Sequence, residues 1–355
     1  LILEGSDKTK KNIRVFTALI IIFCFMFYVA AQLQAAGGTF AVTFDLSLRN
    51  SILLGGFVIM IYTMLGGFWA VSLTDTLQGT LMMVASLLLP TLALIEVGGI
   101  SDFWQNYKAS ASLEQLSLGG SNTGLMLIGF VLGSMSIGLG ALGQPHLLIR
   151  FMSMKKNVKM RVAQIIAISC VAVSMIGMII LGMCGSIMVN EISNAEDIFF
   201  MLTDSLLPVV LGGIMVAAVL SAVLSTADSQ LLVSASSIAH DLMGEEAEGH
   251  SKLFVSRIVI AVLCVFAVIT SIYLPSDIFS RVLFAWNALG ASIGPVIFMR
   301  LAGVRVNSRA ILPSMIFGFL MTIIFFLRPD APGDFLERAV PFILCLLILY
   351  FTRRR

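Results

Sequence analysis

Long apolar stretches, separated by short polar segments, follow one another along the whole chain. Each covers about 20 residues, the length at which an α-helix crosses roughly 30 Å of hydrocarbon. The strict alternation that transmembrane β-strands require is absent. The pattern predicts an all-α membrane protein with about ten spans, near residues 13–35, 51–70, 76–98, 124–149, 162–189, 207–236, 255–274, 280–300, 309–327 and 335–352.

Two parts of this assignment rest on local signals. The second and third spans are almost continuous, and the glycine pair Gly66 and Gly67 predicts a break between them. Residues 196–205 form too short and polar a stretch to cross the membrane. We expect them to form a helix on its surface.

Composition and charge agree with a membrane location. Hydrophobic residues make up 58% of the chain and charged residues 12%, against roughly 45–50% and 25% in soluble domains. If the first residues are cytoplasmic, the inner loops hold 17 of the 22 Lys and Arg residues, as the positive-inside rule requires. Because these residues are spread over many loops, they form no basic patch for nucleic acid. We expect a multi-pass protein of a bacterial inner (plasma) membrane, embedded in the lipid bilayer.

The sixth span carries a face rich in hydroxyl groups. At about 100° per residue, Ala222, Ser225, Thr226 and Ser229 fall on one side of a helix. A hard monovalent cation needs several hard oxygens and little net charge, which hydroxyls and backbone carbonyls supply. Serine and threonine also join helices in membranes. Asp228 in the same turn favours the cation, because helix packing rarely requires a carboxylate.

Asp75, at the start of the third span, has two interpretations. With Thr74 it is suited to capping a helix N-terminus, where an anionic side chain satisfies free amides. Alternatively, it faces inward and supplies a charged ligand to a cation crossing near the cytoplasmic side.

The fourth span is rich in glycine and ends in Gly143, Gln144, Pro145 and His146. This density of Gly and Pro predicts a helix that bends or unwinds and frees backbone groups at the depth where transporters bind solute. Close helix packing through small residues is the alternative. His146 suits either a structural hydrogen bond or proton transfer. The eighth span has a similar broken, polar character through Trp286, Asn287, Gly290, Ser292, Gly294 and Pro295.

Four segments together resemble the sodium:solute symporter family, most closely its sodium/proline symporter branch. They are LGGFWAVSLTDTLQG (65–79), GQPHLLIRFM (143–152), LSAVLSTADSQLLVSASS (220–237) and FAWNALGASIGPV (284–296). The resemblance implies a LeuT-type fold of two inverted repeats in one transmembrane domain, 1–355. Residues 1–300 then correspond to core helices three to ten and residues 301–355 to two peripheral helices. The sequence begins with Leu1 rather than Met, and we expect the first two core helices to precede it.

The resemblance also implies roles for individual residues. Ala222, Ser225 and Thr226 match the family's sodium-binding face, and Asp75 matches an acidic residue near a further sodium position, with Ser225, Asp228 and Ser229 as neighbours. Expected solute contacts are Gln32, Ile137, Ala141, Gln144, Pro145 and Trp286. The proline branch has aromatic residues where Ile137 and Ala141 stand. Their loss enlarges and depolarises the pocket, so proline, another amino acid or a related carboxylate remain open.

The expected function is sodium-coupled symport of a small organic solute, such as the amino acid proline, by alternating access, with Na⁺ as the coupling ion. Two alternatives remain: a proton-coupled symporter of the same fold, in which Asp75 or Asp228 titrates, and a transporter-like sensory module of a signalling protein. An enzyme is not expected, because the sequence has no HExxH motif, no GxSxG motif paired with a histidine and no cluster of metal ligands.

Overall fold

The fold was analysed in a computed structural model that describes residues 7–155, 158–189, 195–242, 249–274, 278–328 and 332–353. Helices make up nearly all of this part of the chain. They are α1 (Asp7–Phe44), α2 (Leu48–Glu96), α3 (Gly99–Ser110), α4 (Leu125–Gly140), α5 (Pro145–Met152), α6 (Met160–Met188), α7 (Ile198–Leu206), α8 (Val209–Ser236), α9 (Gly249–Tyr273), α10 (Ile278–Leu301), α11 (Ser308–Phe326), α12 (Phe335–Arg338) and α13 (Val340–Phe351).

Nine helical segments within the described ranges are long and apolar enough to cross a membrane. They correspond to the first nine predicted spans. Two of them, Leu48–Leu65 and Trp69–Glu96, belong to the single helix α2. Two crossings within one helical element require a change of direction between Leu65 and Trp69, so the predicted break at Gly66 and Gly67 stays a prediction.

The tenth predicted span, 335–352, is divided. The short helix α12 ends at Arg338, and α13 begins at Val340 with Pro341 in its first turn. Because proline lacks an amide hydrogen, it suits the first turn of a helix and disrupts the interior. The 12 residues of α13 extend about 18 Å at ~1.5 Å per residue, less than the hydrocarbon thickness.

Helix α10 lies at the centre of the molecule. In its apolar window 78% of the residues are buried, the largest share among the nine segments. The broken character predicted for this span is wrong, because α10 runs from Ile278 to Leu301 with Pro295 inside it. Its glycines allow close approach of neighbouring helices instead.

Three groups of buried apolar side chains hold the helices together. The first joins α1 to α10, α11 and α13 around Phe25, and the second joins α1 to α2, α8 and α9 around Leu33. The third joins α2, α6 and α8 to α7, whose Leu202 is buried. The segment expected on the surface is thus a helix whose inner face packs in a core. The second half of α8, from Ala227 to Ala235, is almost wholly buried, which fixes its polar residues between helices.

Candidate functional site

Three oxygens of the predicted sodium face lie within one turn of α8. Ser225 Oγ donates a hydrogen bond to the Ala222 carbonyl at 3.1 Å, and Thr226 Oγ1 donates to the same carbonyl at 2.9 Å. Each hydroxyl keeps its lone pairs free to face a cation. The same bonds also satisfy both hydroxyls within the helix, as a packing role would require. The sodium assignment of these residues stays a prediction.

Asp228 lies one turn beyond Ser225 and is fully buried. Neither carboxylate oxygen has a hydrogen-bond partner among the described residues. The next residue of α8, Ser229, lies with its Oγ atom 3.4 Å from Asp75 Oδ2 on α2, so both carboxylates lie near the α2–α8 contact. A buried carboxylate without a partner is costly unless a proton or a cation neutralises it. The site therefore calls for either a bound proton or a cation at Asp228.

Asp75 lies in the interior of α2, which begins at Leu48 with Ser47 as its N-cap. The capping interpretation of Asp75 is therefore wrong, because a residue so far inside a helix has no free amides to cap. Its side chain forms an ion pair with Arg150 of α5. Its Oδ2 atom lies 3.4 Å from Ser229 Oγ, while Oδ1 is buried and lacks a partner in the described part of the chain.

Arg150 and Ser229 complete this cluster. Arg150 Nη2 donates to Ser229 Oγ at 2.6 Å, and Ser229 Oγ donates to the Ser225 carbonyl at 2.8 Å. A cavity of about 360 Å³ opens beside them, lined by residues of α2, α5, α8 and α9 that include Asp75, His146, Arg150, Ser229 and Ser256. The structure thus brings Asp75 and Ser229 together, as expected, and adds an arginine that the sequence interpretation treated only as a topological charge.

The chain is interrupted between α4 and α5, as the glycine-rich sequence predicts. Helix α4 ends at Gly140, a 3₁₀ turn covers Ala141–Gly143, and Gln144 is extended at φ −83° and ψ 106°. The cause is local, since proline at 145 pushes the residue before it out of the helical region and begins a new helix at its first position.

This interrupted segment docks on α10. Gln144, fully buried, donates through Nε2 to the carbonyls of Gly140 at 3.2 Å and Trp286 at 3.3 Å, and Trp286 Nε1 donates to the Ile137 carbonyl at 3.0 Å. Gln144 Oε1 has no hydrogen-bond partner within the described ranges. Ile137, Gln144 and Trp286 are therefore neighbours, and the half-buried Ala141 lies in the turn between the first two.

Tyr28 on α1 lies beside the expected solute contacts Gln144 and Trp286, and the sequence analysis did not single it out. Its ring centroid lies 6.5 Å from that of Trp286 and 6.4 Å from that of His146. A tyrosine inside an apolar span was the signal, because its hydroxyl needs a polar surrounding. Gln32, half-buried, follows one turn later on the same side of α1. Pro145 begins α5 beside Gln144.

Comparison with known proteins decides the family. The sodium:solute symporter family matches residues 7–318. The chain belongs to the sodium:solute symporter family. Sodium/proline symporter 2 of Staphylococcus saprophyticus is 31% identical over 324 residues, which are 88% of this chain and 62% of that protein. The sodium/proline symporter of Staphylococcus aureus USA300 is 32% identical over 328 residues, 89% of this chain and 63% of that protein. The chain thus spans less than two thirds of these relatives' length.

A solved structure shares the fold. The substrate-bound, outward-open state of a Na⁺-coupled sialic acid symporter, described with a novel Na⁺ site, has a TM-score of 0.76 at 17% identity over 96% of this chain and 74% of that one. The predicted LeuT-type, all-α fold is confirmed. The protein is a multi-pass plasma-membrane protein, and its family consists of transporters rather than enzymes. The individual site residues and the division at residue 300 stay predictions.

Proposed function

We propose that the protein couples sodium entry to the uptake of a small organic solute, an amino acid such as proline, by alternating access. The observation that carries the proposal is Asp228, buried with both carboxylate oxygens unpaired among the described residues and one turn from Ser225. Sodium beside it supplies the missing positive charge. Family membership supports the same conclusion.

The oxygen ligands available near Asp228 suit sodium. The carbonyl of Ala222 and the hydroxyls of Ser225 and Thr226 are neutral, hard oxygens held within one turn by their own hydrogen bonds. They supply three ligands on one side of the ion. The remaining ligands have to come from another segment, so sodium binding joins α8 to that segment and stabilises one arrangement of the helices.

The expected solute contacts around Gln144 suit the ammonium group of an amino acid. Gln144 Oε1 is a buried acceptor with no partner in the described residues, and an N–H of the solute's primary or secondary ammonium group satisfies it. Ile137 and Ala141 supply apolar surface beside it. Two relatives are named sodium/proline symporters, so proline is the first solute to test.

Coupling follows if sodium and solute stabilise the same occluded state, because each then raises the other's affinity. At a membrane potential of about 100 mV, each sodium ion entering contributes roughly 2.3 kcal/mol before its concentration gradient is counted. One ion therefore supports a substantial solute gradient.

The decisive experiment is uptake of radiolabelled amino acids into proteoliposomes that contain the intact protein. We expect accumulation of one amino acid with an inward sodium gradient and none with an inward proton gradient in sodium-free buffer. The proton-coupled alternative is favoured by the same buried Asp228, which a proton also neutralises. Accumulation driven by the pH gradient without sodium would establish that alternative and exclude sodium coupling.

A further inference from the structure

The cavity of about 360 Å³ between α2, α5, α8 and α9 lies beyond the solute contacts expected at Gln144 and Trp286. Its volume falls within the range of small-molecule binding sites. His146, Ile149 and Arg150 line it from α5, since positions three and four apart share one face of a helix. Arg150 lies near the end of α5, about 9 Å along the helix axis from Gln144.

The rings of Tyr28 and His146 separate this cavity from the expected solute contacts. Tyr28 lies beside both, with its ring centroid 6.5 Å from that of Trp286 and 6.4 Å from that of His146. Both Tyr28 and His146 are buried. A solute that leaves Gln144 and Trp286 along α5 therefore passes these two rings before it reaches the cavity.

The cavity carries one charge of each sign. Besides His146 and neutral residues, its described lining contains one carboxylate, Asp75, and one guanidinium, Arg150, and these form an ion pair. Because the pair neutralises itself, a lone cation or a lone anion would leave the cavity with an unbalanced charge. A zwitterionic ligand keeps the balance and offers each charge a complementary group.

Arg150 has hydrogen-bond donors to spare. Its Nη2 atom contacts Asp75 and donates to Ser229 Oγ at 2.6 Å, whereas Nε and Nη1 have no partner among the residues that the structure describes. The Arg150 side chain is 47% exposed, so these N–H groups are accessible. A guanidinium binds carboxylates through charge-assisted hydrogen bonds. The hydroxyls of Ser236 and Ser256, which also line the cavity, can accept from an ammonium group.

We propose that this cavity is a release site for the solute, in which Arg150 binds the carboxylate of a zwitterionic amino acid after the solute has left Gln144 and Trp286. The inference rests on the proposed transport of an amino acid and deepens it by adding a second binding position on the same route. The distribution of Lys and Arg predicts that the end of α5 lies on the cytoplasmic side. The release site is therefore the last position that the solute occupies before it enters the cytoplasm.

The test uses Ser256→Cys, which places a thiol in the lining of the release site. Four of the five native cysteines are buried and Cys170 is half-buried, so maleimide labelling of the intact protein, purified in detergent, mainly reports the new thiol. Proline, the first probe, should slow the labelling, whereas prolinamide, which lacks the carboxylate, should not. If proline has no effect, the other standard amino acids and their amides are tested in the same way. Failure of every amino acid to slow the labelling overturns the inference.

Arg150→Gln in the Ser256→Cys protein removes the proposed carboxylate ligand. The concentration of the protecting amino acid that halves the labelling rate should rise roughly tenfold to a hundredfold, the usual effect of losing a hydrogen bond to a charged group. Arg150→Lys keeps a positive charge and should retain most of the protection. Arg161→Gln removes an exposed arginine of α6 and, as the matched control, should leave protection unchanged. Unchanged protection in Arg150→Gln overturns the inference.

Gln144→Ala distinguishes binding at the release site from a change of shape caused by binding elsewhere. Protection at position 256 should persist in this variant, and its loss there would overturn the inference. If Arg150→Gln fails to fold, the amide comparison still decides, because equal protection by the amino acid and its amide excludes recognition of the carboxylate. None of these measurements needs a sodium gradient. Absence of sodium-driven uptake of any amino acid refutes the proposed function, whereas normal uptake without protection at position 256 refutes only the release site.

Discussion

Neighbouring polar residues of α8 have different surroundings although they lie within one or two helical turns of each other. Thr226 is half-buried and bonds its own backbone, Asp228 is fully buried without a partner in the described ranges, and Ser229 contacts Arg150 across the helix interface. Thr226 and Asp228 are placed to bind a transported ion, whereas Ser229 contacts the Asp75–Arg150 ion pair. The roles follow from what each side chain faces, because the helix places them about 100° apart per residue.

Thr226→Ala tests the sodium face at this scale. Loss of the hydroxyl removes one ion ligand, so the sodium concentration for half-maximal uptake should rise about tenfold, equivalent to ~1.4 kcal/mol, while the amount of protein in the membrane stays nearly constant. Sodium titration of solute uptake, with immunoblots of the membrane fraction, provides the measurement.

Thr322→Ala is the matched control for Thr226→Ala. Thr322 in α11 makes the same kind of bond, from Oγ1 to the carbonyl four residues earlier at 3.0 Å, and is buried. Its loss should leave the sodium dependence unchanged. If both variants shift sodium dependence equally, or if Thr226→Ala lowers protein level as much as uptake, the hydroxyl has only a packing role.

At the scale of elements, the contact between the interrupted segment and α10 depends on glycine. A Cβ atom added to Gly290 would lie 2.6 Å from the Gly140 Cα atom, and one added to Gly143 would overlap the Leu289 backbone. The two segments therefore meet backbone to backbone, which positions Gln144 against the Trp286 carbonyl. This approach explains the glycines of α10 better than a break in the helix does.

Gly290→Ala should force the two segments apart. We expect a loss of stability of about 1–3 kcal/mol, the usual cost of overpacking, and an increased solute KM because Gln144 moves. Thermal unfolding in detergent and uptake kinetics measure both effects. Gly213→Ala in α8 is the control, since an added Cβ there meets nothing within 4 Å. Equal stability of the two variants would contradict the close-packing explanation.

At the scale of the whole molecule, the uneven distribution of Lys and Arg between the loops predicts how the protein is oriented in the membrane. The loop at 111–124, between α3 and α4, is expected outside and the segment between α5 and α6 inside. Leu118 is fully exposed and Val158 is 49% exposed, so single cysteines at these positions are accessible to reagents. Four of the five native cysteines are buried and Cys170 is half-buried, which keeps background labelling low.

In right-side-out vesicles, Leu118→Cys should react with a membrane-impermeant maleimide and Val158→Cys should react only after permeabilisation. The unchanged protein gives the background. The reverse pattern would invert the topology and place the Asp75–Arg150 pair near the outer surface, contrary to the expected position of Asp75 near the cytoplasmic side.

The sequence predicted well the features that depend on neighbours along the chain. The first nine spans follow from apolar length, the unwound turn before Pro145 follows from the geometry of proline, and the hydroxyl face follows from helical spacing. Prediction failed where distant segments decide. Asp75 was interpreted as a possible cap, because the sequence alone does not show that α2 extends well before this residue.

Membrane location, the positions of the first nine spans and the hydroxyl-rich face of α8 were determined by the sequence itself, because hydrocarbon thickness and helical periodicity act on residues close together in the chain. The pairing of Arg150 with Asp75, 75 positions apart, and the docking of Gln144 on Trp286 were decided only by tertiary structure. Such contacts depend on how helices pack in three dimensions, and side chains from distant segments neutralise or orient one another only when packing brings them within a few ångströms.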